Sequence, residues 1–139
     1  MNRAYEVLGL PPAREFTRKF ADYTLANGWD NIHGGIYRDG MHVGRIVVTD
    51  KEWGQNFESL TGFLDSYQAT EDERYLDTFI KLWGFDKKYF YNPEVGESRQ
   101  LLLADGTPVI DDTGNQWKCI YHTDRAMMEC CLRIESLTE

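Results

Sequence analysis

Hydrophobic residues recur at helical spacing in four stretches of the chain. In the first stretch, 13–27, Phe16, Phe20 and Tyr23 are three or four residues apart, as on one face of a helix, and Gly28 follows as a typical C-terminal cap. The same spacing predicts helices over 51–68, from a cap at Thr70 or Asp72 to Tyr89, and from about Thr123 onwards. The apolar positions that define these three helices are Trp53, Phe57, Leu60, Phe63, Leu64 and Tyr67; Tyr75, Phe79, Leu82, Phe85 and Tyr89; and Met127, Met128, Cys131, Leu132 and Ile134.

Two long segments between these helices carry turn-forming and β-branched residues instead. The segment 29–50 contains RIVVT at 45–49, which predicts a short strand within a hairpin. The segment that follows Asn92-Pro93 and runs to Gln116 contains three leucines at 101–103 and an Asp-Gly turn at 105–106, which predicts a second hairpin. Helices joined by alternating short and long connections indicate an all-α fold of antiparallel helical hairpins with β-hairpin-like loops. We expect the long loops to meet at one end, where functional sites usually lie.

Composition narrows the class of protein. The chain has 139 residues, 42% of them hydrophobic, which predicts a single domain over 1–139. Lys and Arg total 15 against 23 Asp and Glu, and the formal charge of -8 argues against nucleic acid and anionic membranes as partners. Three cysteines, an odd number, predict free thiols. A cytoplasmic protein is expected, since the sequence shows neither an apolar run long enough to span a bilayer nor the pattern of a signal peptide. A zinc site at Cys119, His122, Cys130 and Cys131 is disfavoured, since adjacent helical cysteines point about 100° apart, and we expect no metal.

Four short motifs occur in a characteristic order: WDNIHGGIY at 29–37, KEWGQNFE at 51–58, NPEVGE at 92–97, and WKCIYH at 117–122 followed by Arg125. In order and spacing they resemble the C-terminal portion of the N-acylglucosamine 2-epimerase and cellobiose 2-epimerase superfamily. The resemblance extends over about 13–137, and four motifs together are far more specific than any one of them. It implies an (α/α)6 barrel of six helical hairpins, of which this chain would form roughly the last third.

The resemblance implies a sugar 2-epimerase or aldose-ketose isomerase that moves a proton next to the carbonyl of a small sugar, without a cofactor. His122 matches one of two family histidines, and an imidazole with a pKa near 6.5 both accepts and donates protons at neutral pH. Trp53 and Trp117 match positions where an indole packs against the sugar ring. Glu58 matches a glutamate that binds sugar hydroxyls, and Arg125 is expected to orient His122 or to hold a hydroxyl.

The chain also departs from the family pattern. Gly54 follows Trp53 where two consecutive tryptophans are usual, and Ser98 stands in place of the tryptophan of a Gly-Glu-Trp sequence. The family's upstream Gly-His motif has no counterpart, and His33 and His42 lie in loops where a structural role is expected. We therefore expect the chain to be inactive alone, and to associate with a missing N-terminal half or with copies of itself.

Two other functions remain open at this point. A noncatalytic carbohydrate-binding remnant would keep Trp53 and Trp117 without proton transfer. A glycoside hydrolase would require two carboxylates on either side of a scissile bond. The acidic groups available for that role are Asp111-Asp112 and Glu94 or Glu97.

Overall fold

The computed structural model describes residues 1–138, so Glu139, the last residue of the predicted domain, lies outside it. Within that range the helices are α1 (Asn2–Leu8), α2 (Pro11–Tyr23), α3 (Trp53–Thr70), α4 (Glu73–Phe85) and α5 (Tyr121–Thr138). The strands are β1 (Asp39–Gly40), β2 (Ile46–Val48), β3 (Lys51–Glu52), β4 (Tyr91–Asn92), β5 (Glu97–Ser98), β6 (Leu101–Leu102) and β7 (Pro108–Ile110). One π-helical turn extends α2 over Thr24–Gly28 and another extends α4 over Asp86–Phe90.

Helices α2 to α5 confirm the four predicted helices. The predicted cap Asp72 precedes α4, where its side chain accepts a hydrogen bond of 3.0 Å from the backbone N–H of Arg74. Helix α1 was not predicted, because seven residues are too few to show a convincing hydrophobic period. It ends at Gly9, whose left-handed φ of 63° is favourable for glycine.

Helix α3 is central, with α2, α4 and α5 packed around it. A two-residue connection makes α3 and α4 an antiparallel hairpin, and the core lies where their buried faces meet. Helix α5 runs parallel to α3, because side-chain contacts advance in the same direction along both helices. These contacts join Glu58 to His122, Asp65 to Arg133, and Gln68 to Ser136. None of the helices within 1–138 combines the length and apolarity needed to cross a membrane.

The apolar stripe that predicted α2 is not the face that packs in this chain. Phe16, Phe20 and Tyr23 are 46%, 57% and 47% exposed. Small side chains face α3 instead, and they allow close approach of the two helices: Ala13, Thr17 and Ala21. The same holds in α5, where Ala126 and Cys130 are buried while Met128 and Leu132 are 67% and 61% exposed. Two helices thus present apolar faces without a partner in the described structure.

The two long loops come together at the N-terminal ends of α3 and α5, as expected. Strand β3, just before α3, pairs with β6 of the second loop in antiparallel register. Both predicted hairpins are present, as β1 with β2 and β6 with β7.

A buried ion pair secures the first loop to α3. The Nζ of Lys51 lies 2.7 Å from Oδ2 of Asp30, and both side chains are at most 1% exposed. Burial by itself would raise the pKa of Asp30, but hydrogen bonds from Lys51 and from the backbone N–H groups of Ile32 and His33 lower it. The segment 29–37 is therefore held in a defined position next to the start of α3.

Candidate active site

The start of α5 and the second turn of α3 bring a histidine and a glutamate into contact. Nδ1 of His122 lies 2.8 Å from Oε1 of Glu58, although 64 residues separate them. Because a carboxylate only accepts hydrogen bonds, Nδ1 carries the hydrogen when Glu58 is ionised. The lone pair of the neutral imidazole is then on Nε2, and the His122 side chain is 37% exposed. This arrangement leaves one ring nitrogen able to accept a proton from outside.

Arg125 completes a three-residue charge network. It lies one helical turn after His122 and forms an ion pair with Oε2 of Glu58. Both carboxylate oxygens of Glu58 are thereby occupied, one by the imidazole and one by the guanidinium. Arg125 also lies over the ring of Tyr121, with its Cζ 5.3 Å from the ring centroid. The orientation of His122 is set by Glu58, and Glu58 is in turn held by Arg125.

Two aromatic rings flank the imidazole edge-on. The ring centroid of Trp53 lies 5.8 Å from that of His122, and the centroid of Tyr121 lies 5.1 Å away, each at an interplanar angle of 70°. Trp53 is only 6% exposed, and its Nε1–H is buried without a hydrogen-bond partner among residues 1–138. In this chain Trp53 therefore supports the imidazole and exposes little surface of its own.

Trp117 lies apart from this group. Trp117 is 76% exposed, and its backbone N–H donates a hydrogen bond of 2.8 Å to Oδ1 of Asn115. Of the five candidate residues, the structure brings together Trp53, Glu58, His122 and Arg125 and leaves Trp117 in solvent.

A buried network of hydrogen bonds and charges anchors the loop before α5. The sequence did not indicate which residues form this network. Lys118 is 1% exposed; its Nζ lies 3.4 Å from Oε1 of Glu97 and donates a bond of 3.0 Å to the Thr113 carbonyl. Burial favours the neutral form of Glu97, but hydrogen bonds from Ser98 and the charge of Lys118 lower its pKa. The Ser98 hydroxyl also lies 3.2 Å from that of Thr123, in the first turn of α5. Lys118 thus positions the helix that carries His122 and does not contact the imidazole.

An open cavity of ≈ 640 Å³ lies beside this group, between α1, α3 and α5. Glu58 and Arg125 line it together with other charged side chains of the three helices, whereas His122 does not. His33 and His42 are exposed in their loops. Within the described residues, no three His, Cys, Asp or Glu side chains are grouped closely enough to hold a metal ion.

The sequence of residues 11–126 matches the family model for N-acylglucosamine 2-epimerase (GlcNAc 2-epimerase). The chain belongs to the N-acylglucosamine 2-epimerase family. Among its relatives, the cellobiose 2-epimerase of Ruminococcus albus is 30% identical over 139 residues, covering 96% of this chain and 35% of the relative. The chain therefore spans about a third of the length of the curated family members it matches.

Solved structures agree on the fold. A sugar epimerase from a ruminal bacterium superposes with a TM-score of 0.78 at 27% identity, over 96% of this chain and 35% of that one. A family 76 glycoside hydrolase from a bovine Bacteroides thetaiotaomicron strain also gives 0.78, over 99% of this chain and 28% of that one. At 18% identity the second likeness concerns the fold alone. Both neighbours are (α/α)6 barrels, so the helices described here form part of such a barrel, as the resemblance implied.

Proposed function

We propose that this member of the N-acylglucosamine 2-epimerase family contributes a proton-carrying histidine to a sugar 2-epimerase or aldose-ketose isomerase. Residues 1–139 would form one domain, the C-terminal part of the barrel, acting on a small sugar. The observation that carries the proposal is the contact of 2.8 Å between Nδ1 of His122 and Oε1 of Glu58. Three free thiols fit the reducing cytoplasm as its compartment.

In this proposal Nε2 of His122 removes the proton next to the sugar carbonyl. The electron pair of the broken C–H bond moves onto the carbonyl oxygen, giving an enediolate, and the imidazolium later returns a proton. The Glu58 carboxylate accepts the Nδ1 hydrogen throughout, which leaves Nε2 as the nitrogen that takes up and returns the proton. Arg125 limits the mobility of Glu58. Trp53 and Tyr121 restrict the tilt of the ring from two sides.

The described residues supply one proton carrier, and this limits the reactions that they can catalyse. A base on a single face of the planar intermediate can move the carbonyl between C1 and C2. Inversion at C2 requires delivery of a proton from the opposite face as well. Among residues 1–138, His122 is the one histidine with a ring nitrogen hydrogen-bonded to another side chain. We therefore propose that activity requires a second half that supplies the missing donor.

The unpartnered apolar faces of α2 and α5 support association. Side chains such as Phe20, at 57% exposed, and Met128, at 67%, lie on helices that otherwise pack through small residues. Contiguous exposed apolar surface favours contact with another protein surface. We expect either an N-terminal family half or a second copy of the chain to cover these faces, which light scattering of the purified chain will distinguish by mass.

The test combines complementation with isotope exchange. The chain is mixed with an N-terminal family half that carries the Gly-His motif, and exchange of the sugar C2 proton is followed by NMR in deuterated water. His122→Asn keeps a polar side chain able to hydrogen-bond but removes the base, so exchange should fall about 10²- to 10⁴-fold. His42→Asn, in an exposed hairpin, is the matched control and should leave exchange unchanged.

Three results would contradict parts of the proposal. Unchanged exchange in the His122→Asn assembly removes His122 from the mechanism. Epimerisation by the chain alone refutes the need for a second half. Sugar binding without exchange in any assembly favours the noncatalytic carbohydrate-binding protein.

A further inference from the structure

The face of the His122 imidazole lies against a glycine. With Nδ1 occupied by Glu58, Nε2 and the adjacent Cδ2 form the edge that remains available. A Cβ atom added to Gly54 would lie 3.4 Å from Cδ2 and 3.7 Å from Nε2 of this ring. Side chains in a helix point back towards its N-terminus, and Gly54 is the second residue of α3. A side chain at this position would therefore pack on the imidazole face, beside Nε2.

The backbone does not require a glycine at this position. Gly54 lies within α3 and does not have the positive φ that restricts a position to glycine. A Cβ there would make only ordinary van der Waals contact, and with a side chain. Glycine is also among the least favourable residues in a helix. Neither conformation nor helix stability explains Gly54; its missing Cβ leaves space beside the His122 ring.

That space is adjacent to the position of a reacting sugar carbon. A carbon that gives its proton to Nε2 must approach to about 3–3.5 Å, which places its other substituent within one bond length of the same region. Resting on the proposed function, we propose that Gly54 is a specificity-determining residue: it leaves room beside Nε2 of His122 for a C2 substituent larger than a hydroxyl, such as an acylamino group. The size of the side chain at position 54 sets the upper limit on that substituent.

A chemical probe tests the geometry without requiring any enzyme activity. Diethyl pyrocarbonate modifies neutral imidazole nitrogens, and mass spectrometry of the peptides reports each histidine separately. Gly54→Leu should slow modification of His122 roughly two- to tenfold, because the reagent must push a leucine out of its rotamer. The rates of the exposed His33 and His42 should not change, which verifies that the reagent acts equally on both proteins, whereas unfolding would speed and not slow modification of His122. Gly84→Leu is the control, since a Cβ at that exposed helical glycine has no neighbour within 4 Å.

Specificity is then measured in the active assembly with two sugars, one bearing a hydroxyl and one an acetylamino group at C2. Gly54→Leu should reduce C2 proton exchange of the acetylamino sugar about a hundredfold, and that of the hydroxyl sugar far less. If the leucine variant does not fold, Gly54→Ala should reduce exchange of the two sugars in the same order, with smaller reductions.

The outcomes separate this inference from the proposed function. Equal modification of His122 in Gly54→Leu and the parent chain overturns the geometry, whether or not any activity is found. An active parent assembly that ignores the acetylamino sugar, or a variant that loses both sugars equally, overturns the specificity role while leaving the proposed function intact. Absence of exchange with either sugar in the parent assembly, with the modification result as expected, overturns the proposed function and the specificity role that rests on it.

Discussion

A buried carboxyl without a partner should make the stability of this chain depend on pH. Asp86 opens the π-helical turn after α4, between the buried rings of Phe85 and Phe90, and is 0% exposed. Neither of its carboxyl oxygens has a hydrogen-bond partner among residues 1–138. Burial therefore raises the pKa of Asp86 well above its ordinary value, because the charged form cannot be solvated.

The sign and size of the effect follow from proton linkage. As pH rises above about 3.9, the unfolded chain loses the Asp86 proton while the folded chain retains it. Folding stability is thus fully present below that pH and falls as pH rises towards the folded pKa, by about 1.4 kcal/mol per pH unit. Over the pH range in which the folded carboxyl stays protonated, the loss accumulates at this rate, and a few pH units would remove a large part of the roughly 5–15 kcal/mol that stabilises a domain.

Two substitutions separate ionisation from simple polarity. Asp86→Asn keeps a buried polar group that cannot ionise, so its stability relative to the parent should rise between pH 5 and pH 7, by about 1.4 kcal/mol for each pH unit over which the folded Asp86 stays protonated. Asp86→Leu introduces a side chain of similar shape. Its free energy of unfolding should exceed that of Asp86→Asn by about 1–3 kcal/mol at both pH values, because no unpaired polar atom remains. Urea unfolding followed by circular dichroism measures both, and Asp77→Asn, exposed on α4, is the matched control. Parallel stabilities of Asp86→Asn and the parent across this range would refute the reasoning.

Two further predictions follow from buried side chains. Asn56 is 0% exposed and its Oδ1 accepts a bond of 2.9 Å from the Ile36 backbone N–H; Asn56→Ala should cost roughly 2–3 kcal/mol in urea unfolding, and a loss below 0.5 kcal/mol would contradict that role. Burial raises the pKa of the Cys130 thiol to about 11, while Cys119 and Cys131 are exposed; a disulfide reagent at pH 8 should therefore titrate two thiols quickly and the third only on unfolding, and three equal rates would contradict it.

Residue spacing predicted the helices well and their partners poorly. The period of α3 and α4 correctly marked buried positions such as Leu60 and Tyr75, both 0% exposed. In α2 the same period selected Phe16 and Phe20, which are exposed, while Ala21 packs. Spacing identifies the residues that share a face of a helix, but a neighbouring helix decides which face is covered. The π-helical turns escaped prediction because they extend helices without a change in sequence pattern.

The sequence by itself predicted four of the five described helices, the hairpins and, through the resemblance, a set of candidate site residues. His122 and Glu58 were both expected there, yet their direct bond, which occupies the carboxylate assigned to sugar hydroxyls, required the parallel packing of α5 on α3. The same packing left Trp117 in solvent and buried Lys118 against Glu97. Helical periodicity involves residues only a few positions apart, so it can be read directly from the sequence. Contacts across 64 residues depend on which surfaces exclude water together, and only the tertiary structure decides that.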